Sequence, residues 1–289
     1  MDLKRTQPKL LEKFNTILQS DRMSHAYLFS GNFASLDMAL YLAQSQFCEK
    51  RQSGLPCQEC RACRLIANGE FSDVKIIEPQ GQLIKTETIK ELTKDFSRSG
   101  FEGKSQVFII KDCEKMHVNA ANSLLKFIEE PQSSSYVILL TNDENNVLPT
   151  IKSRTQIFRF PKQLDMLVHQ AEQAGLLKSQ ASLLAQVADD PKHLEILLTN
   201  KKLLDYLNLS QQFVTTLAKD RQTAYLEVSR LTSQVVDKND QAFVFQWLTI
   251  MLAKEGQLYD LENTYRAQQM WKSNVSFQNS LEYMVMVLS

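Results

Sequence analysis

The stretch "AYLFSGNFASLDMALYLAQ", residues 26–44, decides how the rest of the chain is read. A short apolar run ends in a serine and a single glycine, and an amphipathic run follows. This is a strand, a turn and a helix. Leu36, Leu40, Ala43 and Phe47 step by four, three and four and are expected to form one apolar face. Four further runs of the same kind lie downstream: "VKII" (74–77), "VFII" (107–110), "YVILL" (136–140) and "QIFRF" (156–160). Most are continuously apolar rather than alternating, which is the pattern of parallel strands covered on both faces.

Helical segments separate these runs. Thr88 with Glu91 reads as a capping box opening a helix through Ile89 and Leu92. Ala121, Leu124, Leu125 and Ile128 form another stripe, which Pro131 brings to an end. The alternation predicts an α/β domain with a parallel sheet. After Pro161 no strand pattern recurs, and only helical periodicity is left. Three parts are expected: an α/β domain over 1–162, a small helical domain over 163–206 and a C-terminal helical domain over 207–289. No internal repeat is found.

Composition narrows the function classes. The chain of 289 residues carries 33 basic and 33 acidic side chains, so its net charge is zero. A protein holding DNA mainly through its own surface would be more basic. The N-terminal residues are charged every few positions, unlike a signal peptide. The longest apolar runs, such as "YVILL" and "WLTIML", are too short to span a bilayer. A cytoplasmic protein is expected, with no membrane partner. Cysteines in that compartment are free or metal-bound rather than paired.

Four of the five cysteines fall in "CEKRQSGLPCQECRAC". Cys48, Cys57, Cys60 and Cys63 have the spacing C-x8-C-x2-C-x2-C. Such spacing lets thiolates close on one Zn²⁺, which takes four sulfur or nitrogen ligands in a tetrahedron. Gly54 and Pro56 help the loop fold back, and Arg61 and Arg64 flank it with positive charge. No nearby pattern suggests an open coordination position, so a structural zinc is expected. Cys113 stands apart.

The opening stretch also lies where a P-loop would hold phosphates. That motif, G-x-x-x-x-G-K-[ST], needs glycines for close backbone approach, a lysine for the β and γ oxygens and a hydroxyl for Mg²⁺. Aligned on Gly31, the second glycine becomes Leu36, the lysine becomes Asp37 and the hydroxyl becomes Met38. After "VFII" a working ATPase has an acidic pair for metal and water. Here Lys111 falls on the first acid and Asp112 on the second. Taken alone, these positions fit a degenerate nucleotide site and an α/β domain that never bound nucleotide equally well.

"SHAYLFSG", "C…PCQECRAC", "NAANSLLKFIEEP" and "LPTIKSRTQIFRF" occur here in an order that resembles the delta-prime family of bacterial DNA polymerase III clamp-loader subunits, AAA+ relatives. The resemblance is specific from about residue 8 to 162 and weaker beyond. Motor subunits of the same complex share several of these segments but keep an intact P-loop and acidic pair. The resemblance implies an AAA+-like α/β domain, a small helical lid and a collar for oligomerisation. It implies no ATP bound by this chain. Gamma/tau motor subunits and delta are its implied partners, with the sliding clamp and primed DNA as partners of the whole assembly. Polymerase activity would belong to that assembly.

The resemblance assigns Arg154, in "IKSRT", the role of an arginine finger reaching into a neighbour's ATP site. The family's Ser-Arg-Cys is Ser153-Arg154-Thr155 here. Thr141 and Asn142 match a polar sensor position. Near "DDPKHLEIL" only Lys192 and His193 stand where a second sensor arginine is expected. Two other readings stay open: a motor ATPase of the same complex, and a zinc-dependent nucleic-acid-binding protein.

Overall fold

The computed structural model describes residues 2–81, 83–96, 105–129 and 134–286. Pro131, named above as a helix stop, lies outside them. The chain divides into two compact units, Met1–Gln163 and Leu164–Ser289.

The first unit begins with α1 (Leu3–Thr6) and α2 (Pro8–Gln19). β1 (Ala26–Ser30), α3 (Ser35–Phe47), α4 (Arg61–Ala67) and β2 (Val74–Ile77) follow. Next come α5 (Thr86–Phe96), β3 (Ser105–Ile110), α6 (Val118–Glu129), β4 (Ser134–Thr141), α7 (Pro149–Lys152) and β5 (Gln156–Arg159). The five strands form one parallel sheet in the order β2-β3-β4-β1-β5. All five apolar runs became strands, and α5 starts two residues before the expected capping box.

Alternate residues of the inner strands β1, β3 and β4 enter two different cores, which is why those runs are continuously apolar, while β5 places only Phe158 in a core. Tyr27, Phe29, Val107, Ile109, Ile138 and Leu140 pack under α2, α3 and α4. Leu28, Phe108, Ile110, Val137 and Leu139 pack under α6 and α7. Phe14 of α2 seals the first core against Tyr27, Phe29 and Phe158, with ring centroids 4.4–5.8 Å apart.

The stripe expected on α3 is displaced. Met38, Ala39, Leu42 and Ser45 are fully buried, whereas Leu36, Leu40 and Phe47 are partly exposed. A helix covered by the sheet and also by the cysteine segment buries a wider arc than a periodicity of apolar residues marks.

The sheet order fixes where a ligand crevice would lie. From β1 the chain crosses to β2 at the far edge; from β4 it passes the other way, over β1 to β5. The connections diverge at the C-terminal ends of β1 and β4, the topological switch point of an open parallel sheet.

The second unit is entirely helical among its described residues. It contains α8 (Leu164–Gln173), α9 (Lys178–Val187), α10 (Pro191–Thr199) and α11 (Lys201–Lys219). It ends with α12 (Arg221–Gln234), α13 (Lys238–Lys254), α14 (Leu258–Lys272) and α15 (Phe277–Met286). A boundary between 206 and 207 would cut α11, which runs unbroken because Leu203, Tyr206, Leu207, Ser210 and Val214 share one buried face. Asn200, whose side chain caps α11, is the nearest natural break. Phe245 packs on Trp271 and Phe277 in this unit's core. Arg221 ties α12 to Asp260 of α14 and to the Val285 carbonyl of α15. No helix among the described residues is long and apolar enough to cross a membrane.

Candidate functional site

The turn after β1 sits at the switch point. Gly31 has φ +101°, and its N–H donates to the Thr141 carbonyl of β4 at 2.8 Å. A Cβ there would lie 2.4 Å from the Phe160 carbonyl oxygen. The glycine is therefore required by the approach of the chain after β5, whatever binds nearby. Phe33 and Ala34 are buried in the turn. Gln7, itself buried, clamps it by donating through Nε2 to the carbonyls of Phe33 and Pro161, both at 2.9 Å.

The three aligned positions are occupied otherwise. Met38 is a core residue with no exposed surface. Leu36 packs against the same core. Asp37 lies in the first turn of α3, which has no side-chain N-cap, and there a carboxylate complements the helix dipole. At the end of β3, Lys111 turns to Glu78 after β2, with Nζ 2.6 Å from Oε1. Asp112 adopts a left-handed conformation and pairs with Lys115 at 3.0 Å. The Thr141 hydroxyl is spent locally on the Asp143 backbone. The turn, Lys111 and Asp112 all lie at the C-terminal ends of the strands, and the Lys111 ammonium and Asp112 carboxylate are each engaged within the chain, by Glu78 and Lys115.

The four cysteines do come together. Their Sγ atoms all lie within 4.8 Å of one another. Sulfurs around a tetrahedral zinc, at about 2.3 Å from the metal, would be about 3.8 Å apart, so only a small contraction separates this cluster from a coordination shell. A turn with positive φ at Ser53 and Gly54 folds the loop back, and a Cβ on Gly54 would meet the Leu18 carbonyl. Backbone N–H groups already point at sulfur: Cys57 to Cys48, Cys60 to Cys57 and Cys63 to Cys60.

Those bonds affect ionisation. Burial works against the Cys60 thiolate, but N–H donors from Cys63 and Glu49 outweigh it and bring the thiol down to about 6. The Glu59 and Cys60 N–H groups lower Cys57 as well. Burial raises Cys48 and Cys63. A divalent cation would have to displace protons from that second pair. Gln44 of α3 anchors the segment by donating to the Cys63 carbonyl at 2.8 Å.

Arg154 stands apart from the turn, just after α7. It is partly exposed, and its Nε donates to Oε1 of Glu129, the last described residue of α6. Nη1 donates to the Thr150 carbonyl at 3.1 Å and to Ser153 Oγ at 3.2 Å. Among the described residues Nη2 has no protein partner. Thr155, in place of the family's Cys, donates to the Ile151 carbonyl and does not touch the guanidinium.

The model of the family described as "DNA polymerase III, delta subunit" matches residues 6–164, more than half of the chain. The chain belongs to that family. It is 36% identical over 195 residues to DNA polymerase III subunit delta' of Bacillus subtilis, an alignment covering 65% of this chain and 59% of that protein. It is 30% identical over 240 residues to subunit tau of the same organism, covering 78% of this chain and 41% of that one. The chain thus spans less than two thirds of the length of either relative. A gamma subunit-related protein from Thermotoga maritima superposes with a TM-score of 0.54 at 21% identity, covering 95% of this chain and 97% of that one. The shared fold is the AAA+-like α/β domain followed by helices.

For this delta-family chain, three residues of the site escaped sequence reading. Glu129 lay inside a quoted motif but had no role. Its signal was its place at a helix C-terminus, where a carboxylate opposes the dipole. Gln7 and Gln44 are lone amides on otherwise amphipathic segments, and nothing in their spacing marks them as clamps.

Proposed function

We propose that this chain is a clamp-loader subunit that does not hydrolyse ATP itself and serves the ATP site of a neighbouring gamma/tau motor subunit through Arg154. One contrast carries the reading: the turn after β1 is filled and clamped, whereas Arg154 is exposed with its Nη2 unpartnered among the described residues. A planar, permanently charged guanidinium stabilises charge developing on a transferring phosphoryl group, an effect worth about 10³–10⁵ in rate.

The four cysteines would hold a structural zinc that stiffens the loop between α3 and α4. Helices after Asn200 would form the collar, with α8–α10 as the lid. The delta subunit would be a second direct partner, and the clamp and primed DNA would be met by the assembly. Any polymerase or nucleotidyl-transfer activity would belong to the holoenzyme in the cytoplasm.

Mixing the full chain with purified gamma/tau and delta subunits, clamp and primed DNA tests the proposal. The expected result is a stable complex whose ATP hydrolysis needs Arg154, and a purified chain with no hydrolysis of its own. Hydrolysis by the isolated chain, lost on Asp112→Asn, would instead make it a motor. Tight, salt-sensitive DNA binding by the monomer, lost on chelation, would make it a zinc-dependent nucleic-acid binder.

A further inference from the structure

Arg154 has five N–H donors in one plane. Three are committed within this chain: Nε–H to Glu129, and the two on Nη1 to the Thr150 carbonyl and Ser153 hydroxyl. The two on Nη2 have no partner among the described residues. The guanidinium is therefore held at Nε and Nη1, and Nη2 is its nitrogen without a partner among the described residues. Thr150 and Ser153 are near neighbours in sequence and move with Arg154. Glu129 comes from a different element, 25 residues away, and is the contact that ties the guanidinium to the sheet domain.

The end of α6 is itself secured. His25, immediately before β1, sits with Nε2 2.9 Å from the Ile128 carbonyl, one residue before Glu129. A carbonyl only accepts, so Nε2 carries the hydrogen and satisfies an acceptor in the last described turn of α6. The His25 carbonyl receives the Val137 N–H of β4 at 2.8 Å. A line of contacts thus runs from the central strands through His25 and the α6 terminus to Glu129 and Arg154. A carboxylate at a helix C-terminus opposes the helix dipole, so α6 gains nothing from Glu129. Local rules of this kind are broken where a site needs it.

We propose that Glu129 is a positioning residue for Arg154: it orients the guanidinium so that its Nη2 edge meets the phosphoryl group in the neighbouring subunit. This rests on the arginine-finger reading above. The opposite role, a latch that withholds Arg154 until assembly, predicts a raised rate once Glu129 is removed, and the test below separates the two.

The test uses the full chain in the reconstituted complex with gamma/tau, delta, clamp and primed DNA, following ATP hydrolysis. Glu129→Ala should lower kcat by roughly 10- to 100-fold, the cost of misplacing a catalytic group by about 1 Å, with KM for ATP unchanged. Glu129→Gln keeps an oxygen acceptor and should recover most of the rate. In an Arg154→Ala background, Glu129→Ala should cause no further loss. An unchanged or raised kcat for Glu129→Ala, with Arg154→Ala still defective, would overturn the positioning role and leave the finger intact. An unchanged rate for Arg154→Ala would overturn both.

Discussion

Arg154 and Glu129 meet at 2.5 Å, although one follows the short helix α7 and the other closes α6. Both side chains are partly exposed, and exposed pairs of this kind contribute at most about 1 kcal/mol to stability. The pair therefore matters for where the guanidinium lies, and it should be possible to break it without unfolding the domain. Arg154→Ala should leave the thermal midpoint of the isolated chain within about 2–4 °C of the parent. It should also lower hydrolysis at the site it serves by at least about 10³-fold. Arg154→Lys should not restore the rate, because an ammonium lacks the planar fork. Melting curves and ATPase assays of the assembled complex check all three.

Gly31→Ala should destabilise the first unit by roughly 1–3 kcal/mol, from a positive φ and from the Phe160 carbonyl in the place of the new Cβ. Denaturant titration reads this directly. The loss should be the same with or without ATP, because the glycine serves the approach of the segment after β5.

Met38→Thr should cost about 2–4 kcal/mol, since it removes a fully buried side chain and buries a hydroxyl. Asp37→Lys combined with Met38→Thr should yield a less stable chain that still fails to bind ATP in calorimetry. Restored micromolar ATP binding would show that the turn after β1 had kept its cradle.

Elemental analysis should find one zinc per chain. Cys63→Ser should lose the metal and lower the thermal midpoint, because Cys63 is the fully buried member of the cluster. A metal-free wild-type chain purified without chelator would exclude the four-cysteine site.

Asp220 caps α12 through the N–H groups of Gln222 and Thr223. The Thr223 hydroxyl and those N–H groups hold its carboxyl below the usual range. A depressed carboxylate stabilises the fold above its unfolded pKa, about 3.9, and that contribution is lost as pH falls through the lower folded value. The gap in thermal midpoint between the parent and Asp220→Ala should be constant from pH 7 to 5 and close below pH 4.

Much of the first unit was legible because its signals are local. A strand buried on both faces writes itself as a continuous apolar run, as β1, β3 and β4 do, whereas β5, exposed on one face, alternates. The cysteine spacing was equally direct, since residues so close in sequence bring their four Sγ atoms within 4.8 Å of one another. The Glu129–Arg154 pair was not legible, because it depends on how far α6 extends and where α7 lands. The arc that α3 buries was hidden for a related reason: the cysteine segment covers it from outside, and Ser35, Gln44 and Ser45 are buried without being apolar. The break expected at 206 failed because α11 carries its apolar face straight across it.

The filled turn after β1 has one more consequence. Met38 now supports the core, Gly31 admits the chain after β5, and Lys111 is engaged by Glu78. Restoring a hydroxyl at Met38 would weaken folding before it improved ligand affinity. The division of labour in a mixed ring would then be guarded by more than the absence of a lysine. On the proposed reading it would be held by a one-way ratchet, in which a subunit that runs without fuel could not take it up without first coming loose.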